Sequence, residues 1–442
     1  MHIGVLGGGI AGLTTAWLLE ARHDVTLFEA GDQVGGHADT VSVSTSDGPV
    51  RVDLGAQYVS PAGFPTHGRL MAALGHDPSE LADAPVSFTM SAGAAGHRPL
   101  IVSPHAPDER RGSRTPVTGP AWKSLNTFLD AAADFTAADG DWTTSLAELL
   151  DPLPVPEEHK RQVIHPLMAY ISSCADSQAP QLSARAATAF FLALAPPAPG
   201  HAPTWANATR GLQDIALRIS NQLDRTDLRT GTPVVGLRRL ERDFEIADAR
   251  GGTHTVDRLV LALPAYEARH LLEPVAGCEE SRRALAAFPY SPVTIAVHRD
   301  PAYMPTDRSH WSTVNLHSHN GWTEACNWYG PVLGAPGTGL FKSWITHRAQ
   351  PAESLAVRRF RHLVVTTDAV RARTVLNRHQ GRGGLYFAGS HLTYIDSQES
   401  AVRSAMTVAQ ALDCDSPRLR ALTGPIPVPA RRGPVPITSR SS

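Results

Sequence analysis

Lysine is almost absent from this chain of 442 residues: Lys123, Lys160 and Lys342 are its only examples, and the rest of the positive charge is arginine. Acidic and basic side chains nearly cancel, leaving a formal net charge of -2. No basic stripe interleaves with aromatics, which argues against a nucleic-acid partner. Cysteine is scarce as well. Cys174, Cys278, Cys326 and Cys414 lie far apart without a C-x-x-C pair, so neither a disulfide framework nor a zinc site is expected and free buried thiols are the default. No apolar run is long enough to span a bilayer, and Met1 leads straight into an apolar strand with no room for a secretory leader. A cytoplasmic protein without an integral membrane segment is the expectation. Its length suits two or three domains' worth of buried core.

What is present begins at the second residue. Ile3 to Leu6 reads as a central parallel strand, and Gly7-x-Gly9-x-x-Gly12 supplies a tight turn, a close approach to pyrophosphate and close helix packing. Ile10 and Ala11 open a helix whose N-terminus faces the phosphates. Val25 to Phe28 reads as the second strand, and Glu29, followed by Ala30, stands at its end to accept hydrogen bonds from ribose hydroxyls. A glycine fingerprint alone is weak. Strand, turn, helix and acid together point to a dinucleotide.

A second glycine pair, Gly35-Gly36, follows with His37 behind it. Here the sequence resembles the flavoprotein superfamily of amine oxidases and phytoene-type desaturases, in which a glycine pair followed by a basic residue touches the FAD pyrophosphate. His37 stands where that family often has arginine; a histidine in a surface loop is the alternative. Gly55-Ala56-Gln57-Tyr58 resembles the segment that passes the flavin ring, making Gln57 and Tyr58 pocket candidates. Tyr58 could equally be a half-buried aromatic closing a strand. The resemblance implies that the strand around Pro233-Val234-Val235 holds the adenine, with Val235 as the contact; an ordinary strand residue is the other reading. Near the C-terminus, Gly384 to Ala405 closely resembles the family's last FAD motif: a strand delivers Gly389 and Ser390, and a helix begins near Gln398 with Ser397, Gln398 and Ala401 toward the cofactor. Asp396 and Ser397 replace a glycine and an aromatic usual there. An aromatic cage is therefore not expected, and Tyr394 is the nearest ring that could replace it.

The resemblance implies an α/β fold: a Rossmann-type FAD-binding domain from residues 1-59, 207-290 and 383-415, joined to a discontinuous α+β substrate domain from 60-206 and 291-382. Helical periodicity in 121-138, 145-150, 157-173 and 183-195 suggests an all-helical cap, with Phe190 and Phe191 in its core. Arg98 to Pro120 reads as a mobile loop, and the Pro- and Arg-rich 416-442 as a disordered tail. Residues 290-381 carry the sheet side with several aromatics. Pro292 to Pro305, followed by Trp311, is similar to bacterial relatives of amine oxidases, some linked to modification of cyclopropane or methylated acyl chains. His310, His317 and His319 lack carboxylate or cysteine neighbours in ligand spacing, so no metal is expected.

The implied cofactor is FAD, held non-covalently, since no cysteine lies between Cys326 and Cys414. No second G-x-G-x-x-G follows a strand, so a built-in NAD(P)H site is not expected. The implied function is an FAD-dependent oxidoreductase that takes hydride from a small-molecule substrate at a C–N or activated C–C bond in specialised metabolism. A polyene or lipid desaturase or isomerase and a non-catalytic FAD-binding module are the alternatives; a homodimer is left open. Gln57, Tyr58, Trp328, Trp344 and Tyr394 are the expected positioning residues, and Lys342 or His391 the proton-handling ones. Many oxygen-using relatives carry a lysine near the flavin on a strand matching Val293 and Thr294. This chain has none there, unless Lys342 reaches the same place from a neighbouring strand.

Overall fold

Ile3, Val5 and Leu27 are wholly excluded from solvent, as are Leu259, Val260 and Leu261. Such unbroken apolar strands need cover on both faces, the condition of a parallel sheet between helices. The computed structural model describes residues 1–46, 48–60, 63–93, 99–104, 115–194, 204–333 and 338–424. In it these strands form a five-stranded parallel sheet, in the order Thr226–Arg229, Asp24–Phe28, His2–Leu6, Arg258–Leu261, Leu385–Phe387. The helix Ile10–Leu19 is buried at every position. Its Leu13 and Trp17 share a core with Val402, Ala405 and Val408 of the helix Gln398–Ala411.

A second sheet has seven strands. Ser354–Leu363 forms its edge, followed by Tyr290–His298, Phe341–Trp344, Trp322–Trp328, Val314–His319, Phe88–Ala92 and Ile101–Val102. The last two strands, with Leu81–Pro85, arise within residues 60-206, so that region is not all-helical. Beyond Pro65–Ala73, its α-helices of five residues or more among the described residues are Pro120–Ala137, Leu146–Leu150, His165–Ser172 and Ala184–Leu192. A π-helical turn at Lys160–Ile164 precedes the third of these. They close a core of their own around Phe128, Leu146 and Met168.

The chain stays ordered past the expected start of its tail. Pro417–Thr423 is a helix capped by Ser416, whose Oγ accepts from Leu419 N at 3.2 Å. Leu419 and Leu422 are buried, and Arg418 Nη1 donates to Glu20 Oε1 at 2.6 Å. A buried apolar pair and an ion pair outweigh the proline-rich composition here. The remainder of that tail, and much of the expected loop 98-120, lie outside the described residues.

Candidate functional site

The first glycine turn is shaped by contacts that leave no room for side chains. A Cβ on Gly12 would lie 1.8 Å from the Gly7 carbonyl oxygen, and one on Gly7, where φ is +105°, would lie 2.5 Å from Ala262 O. Gly12 therefore sets how closely the helix packs on its own turn. Gly9 differs: nothing lies within 4 Å of where its Cβ would be. Its open side faces the cleft. Glu29 accepts from Gly8 N at 2.6 Å and from Gly31 N at 2.7 Å, so the acid also braces the turn from within. The second glycine pair is laid on the first, with Gly35 N donating to Gly8 O at 2.9 Å.

One long cleft of about 1450 Å³ runs along these elements. Gly7, Gly9, Ile10, Ala11, Glu29 and Ala30 line it, as do Gly35, Gly36, His37, Gly55, Ala56 and Gln57. Gly389, Ser390, Ser397, Gln398 and Ala401 line it from the C-terminal motif. Two expected contacts fall elsewhere. Gly12 is spent on packing, and Val235 is 62% exposed while its neighbours Pro233 and Val234 line the cleft. Side chains alternate along a strand, so Val234, not Val235, faces the cleft.

Asp396, where the resembling family has glycine, fastens the loop before the last helix. Its carboxylate accepts from Ser390 Oγ at 2.6 Å and from Leu363 N of the edge strand at 3.2 Å. Tyr394 does not enter the cleft. It is 38% exposed, packs 5.3 Å from Trp142, and accepts from Arg403 Nη2 at 2.9 Å. His391 lines the cleft but is pressed edge-on against Phe288, and burial beside Arg373 pushes its pKa down to about 4. It is neutral at ordinary pH.

The other end of the cleft is built by the seven-stranded sheet. Lys342 pairs with Asn327 across two strands, and Trp344 lies two residues along on the same face. All three line the cleft. Trp328 has the opposite parity and packs behind the sheet with Met304, Cys326 and Phe341. The expectation that Trp328 is a pocket residue is thus corrected by strand alternation, and Asn327 takes its place. Knowing the parity of Lys342 would have identified it.

Lys342 is 1% exposed and donates to Gln57 Oε1 at 3.0 Å. Burial holds its pKa below the ordinary lysine range, while the charge of Asp53 acts the other way. Asp53 stands behind this wall and accepts from Thr40 Oγ1 at 2.5 Å and Leu212 N at 2.9 Å; burial raises its pKa. Lys342 stands on the strand next to the one that carries Val293 and Thr294, but its register partner is Val297, while Thr294 meets Ile345 and Thr346.

Opposite this polar wall the chamber is apolar. Phe64, Phe88, Leu167, Tyr170 and Trp205 line it, together with Phe190 and Phe191, and Phe191 also packs against the cap's core. Tyr58 also lines it, stacked 6.2 Å from Trp205. Tyr170 meets Trp344 edge-on at 5.4 Å. Two histidines went unnoticed in the sequence because neither sits in a motif. His67 is 2% exposed, and His362 Nδ1 shares a hydrogen bond with Ser173 Oγ at 2.9 Å; both line the cavity.

The cleft fits FAD. The open face of Gly9 leaves room for a pyrophosphate at a buried helix N-terminus, with Glu29 and Val234 lining the cleft near it and Lys342 lining the part built by the seven-stranded sheet. Among the described residues, no helix is long and apolar enough to cross a membrane.

Three solved structures share this fold. A protein from Exiguobacterium sp. 255-15 assigned as a protoporphyrinogen oxidase is 17% identical, with 93% of this chain and 99% of that chain covered and a TM-score of 0.62. The CLA-producing fatty acid isomerase from P. acnes is 14% identical, with 92% and 97% covered and a TM-score of 0.65. Cyclohexylamine oxidase from Brevibacterium oxydans IH-35A is 15% identical, with 93% and 99% covered and a TM-score of 0.62. Identities this low speak for the fold alone. The model of the family described as flavin containing amine oxidoreductase matches residues 10–301, more than half of the chain. The chain belongs to that family, and it is an FAD-dependent oxidoreductase.

Proposed function

We propose that the protein takes hydride from a small, largely apolar molecule at a C–N or activated C–C bond. The observation that carries this reading is one buried polar wall, Lys342 with Gln57, Asn327 and Trp344, beside a largely apolar stretch of the cleft lined by Phe64, Leu167, Phe190 and Trp205. FAD, when bound, supplies the hydride acceptor. The chain's own contribution is to orient the substrate against the polar wall, keep water from the apolar side and hold a proton at Lys342 Nζ. Glu29 would hold the ribose, the glycine pairs the pyrophosphate, and Pro233 and Val234 the adenine.

A second reading has its own support. The chamber bounded by Phe64, Leu167, Phe190 and Trp205 would suit an acyl chain, for which the net reaction could be desaturation or a redox-neutral isomerisation. One experiment separates them. The purified protein is mixed anaerobically with panels of amines and unsaturated acyl compounds while oxidised-flavin absorbance and products are followed, and air is then admitted. Bleaching supports hydride removal, and recolouring in air identifies oxygen as the acceptor. Product without bleaching favours the isomerase reading, and neither bleaching nor product from any panel member sinks both.

A further inference from the structure

We propose, resting on the reading above, that the chamber recognises an oxygen acceptor carried on an apolar body, a carboxylate or carbonyl, and not a cationic ammonium. The groups that recognise it are Lys342, Trp344 and Gln57. Lys342 Nζ gives one N–H to Gln57 Oε1. Among the described residues it forms no ion pair within the 4.0 Å that defines one. Trp344 Nε1 is buried without an acceptor. Gln57 Nε2 lies beside the Tyr58 hydroxyl but outside hydrogen-bond geometry. Asn327 adds an amide whose Oδ1 is also unpartnered, and an amide flip turns donor or acceptor toward a ligand.

Donors outnumber acceptors among these orphans, Trp344 Nε1 and Gln57 Nε2 against Asn327 Oδ1. Buried donors without partners are costly until a ligand brings an acceptor, and among the described residues the Lys342 ammonium has only the Asp53 charge behind the wall and no directly paired anion. Asp396, Glu399 and Asp53 each already hold partners, so none of the three stands free to pair with an ammonium. Asp396 holds Ser390 and Leu363. Glu399 accepts from His67 N at 2.7 Å and faces Arg403 at 3.6 Å. Asp53 faces Lys342 from behind the wall and is held by Thr40 and Leu212. His362, on the edge strand, is the other titratable group facing the lysine, and burial keeps it neutral. This buried arrangement favours an anion or a carbonyl oxygen and disfavours a second cation.

Titrating the FAD-loaded protein with decanoate, decanamide and decylamine, followed by the change in flavin absorbance, tests this directly. Decanoate and decanamide should bind, and decylamine at least tenfold more weakly. Lys342→Met should weaken decanoate at least tenfold and decanamide less, at unchanged FAD content. Trp344→Phe, which keeps the ring and removes only the donor, should weaken both several-fold, so the test survives a Lys342 variant that fails to fold. Decylamine binding as tightly as decanoate, or decanoate indifferent to both substitutions, would overturn the assignment. Binding is read here without turnover. A flavin that amines reduce while decanoate fails to bind therefore sinks the acceptor site and leaves the oxidoreductase reading standing; decanoate binding with no reaction from any panel member does the reverse.

Discussion

Single atoms decide the cofactor end. A methyl group on Gly12 would meet the Gly7 carbonyl oxygen at 1.8 Å, a backbone contact that no rotamer change relieves. Gly12→Ala should therefore weaken FAD binding at least tenfold, about 1.4 kcal/mol, while Gly9→Ala, with nothing within 4 Å, should fold normally and lose FAD only through the ligand clash. Flavin content after gel filtration and circular dichroism of the two variants separate those outcomes; a Gly12→Ala protein with full flavin content would contradict the packing argument. Lys342 governs the other end. Its folded pKa is lowered by burial, so its charge, and with it carboxylate binding, should be present at neutral pH. Both should be lost as pH rises, well before the ordinary lysine range near about 10.4. Decanoate affinity measured from pH 6 to 10 should fall across that window in the wild type and stay flat, already weak, in Lys342→Met.

At the scale of elements, what was legible depended on whether the signal was local. The opening strand, turn and helix could be read because Gly7, Gly9, Gly12 and Glu29 fall within thirty residues of chain. The strand around Pro233 to Val235 was readable for the same reason and lies in Val234–Arg239. The parity of Trp322–Trp328 was not, since Trp328 and Asn327 are both plausible until the register with Lys342 is known. Nor was the helix Pro417–Thr423, whose stability comes from distant partners. Arg418 reaches Glu20, which also accepts from Thr226 N at 3.1 Å and so ties three elements together. Arg418→Ala leaves a carboxylate that is 2% exposed without its cation, at a cost of roughly 3 kcal/mol. A lowered urea midpoint with unchanged flavin reduction is the expected result, and an unchanged midpoint would show that the terminal helix is not held there.

The whole molecule gathers several neutral, buried histidines. His67, His298 and His391 are each at most 2% exposed, and burial is the main reason that each pKa is pushed down to about 4. Between that value and the unfolded histidine value near about 6.5, the unfolded chain binds protons that the folded one refuses. Stability is therefore fully present above that window, falls as pH drops through it, and stops falling on this account below pH 4. Each histidine contributes on the order of 1–3 kcal/mol. Urea midpoints of the FAD-loaded protein at pH 7.5, 6 and 4.5 should decline, and His67→Phe should shallow the decline; a flat profile would contradict the neutral-histidine picture.

The central claim is that Lys342 and its neighbours form the reacting end of an FAD site. Its most direct test is the rate at which bound flavin is reduced anaerobically by whichever panel compound bleaches the wild type, compared in wild type and Lys342→Met at equal flavin content. The account predicts intact FAD binding and a slower reduction, by about 10²-fold where proton handling and orientation are lost together. Equal reduction rates in the two proteins would place the chemistry elsewhere in the cleft.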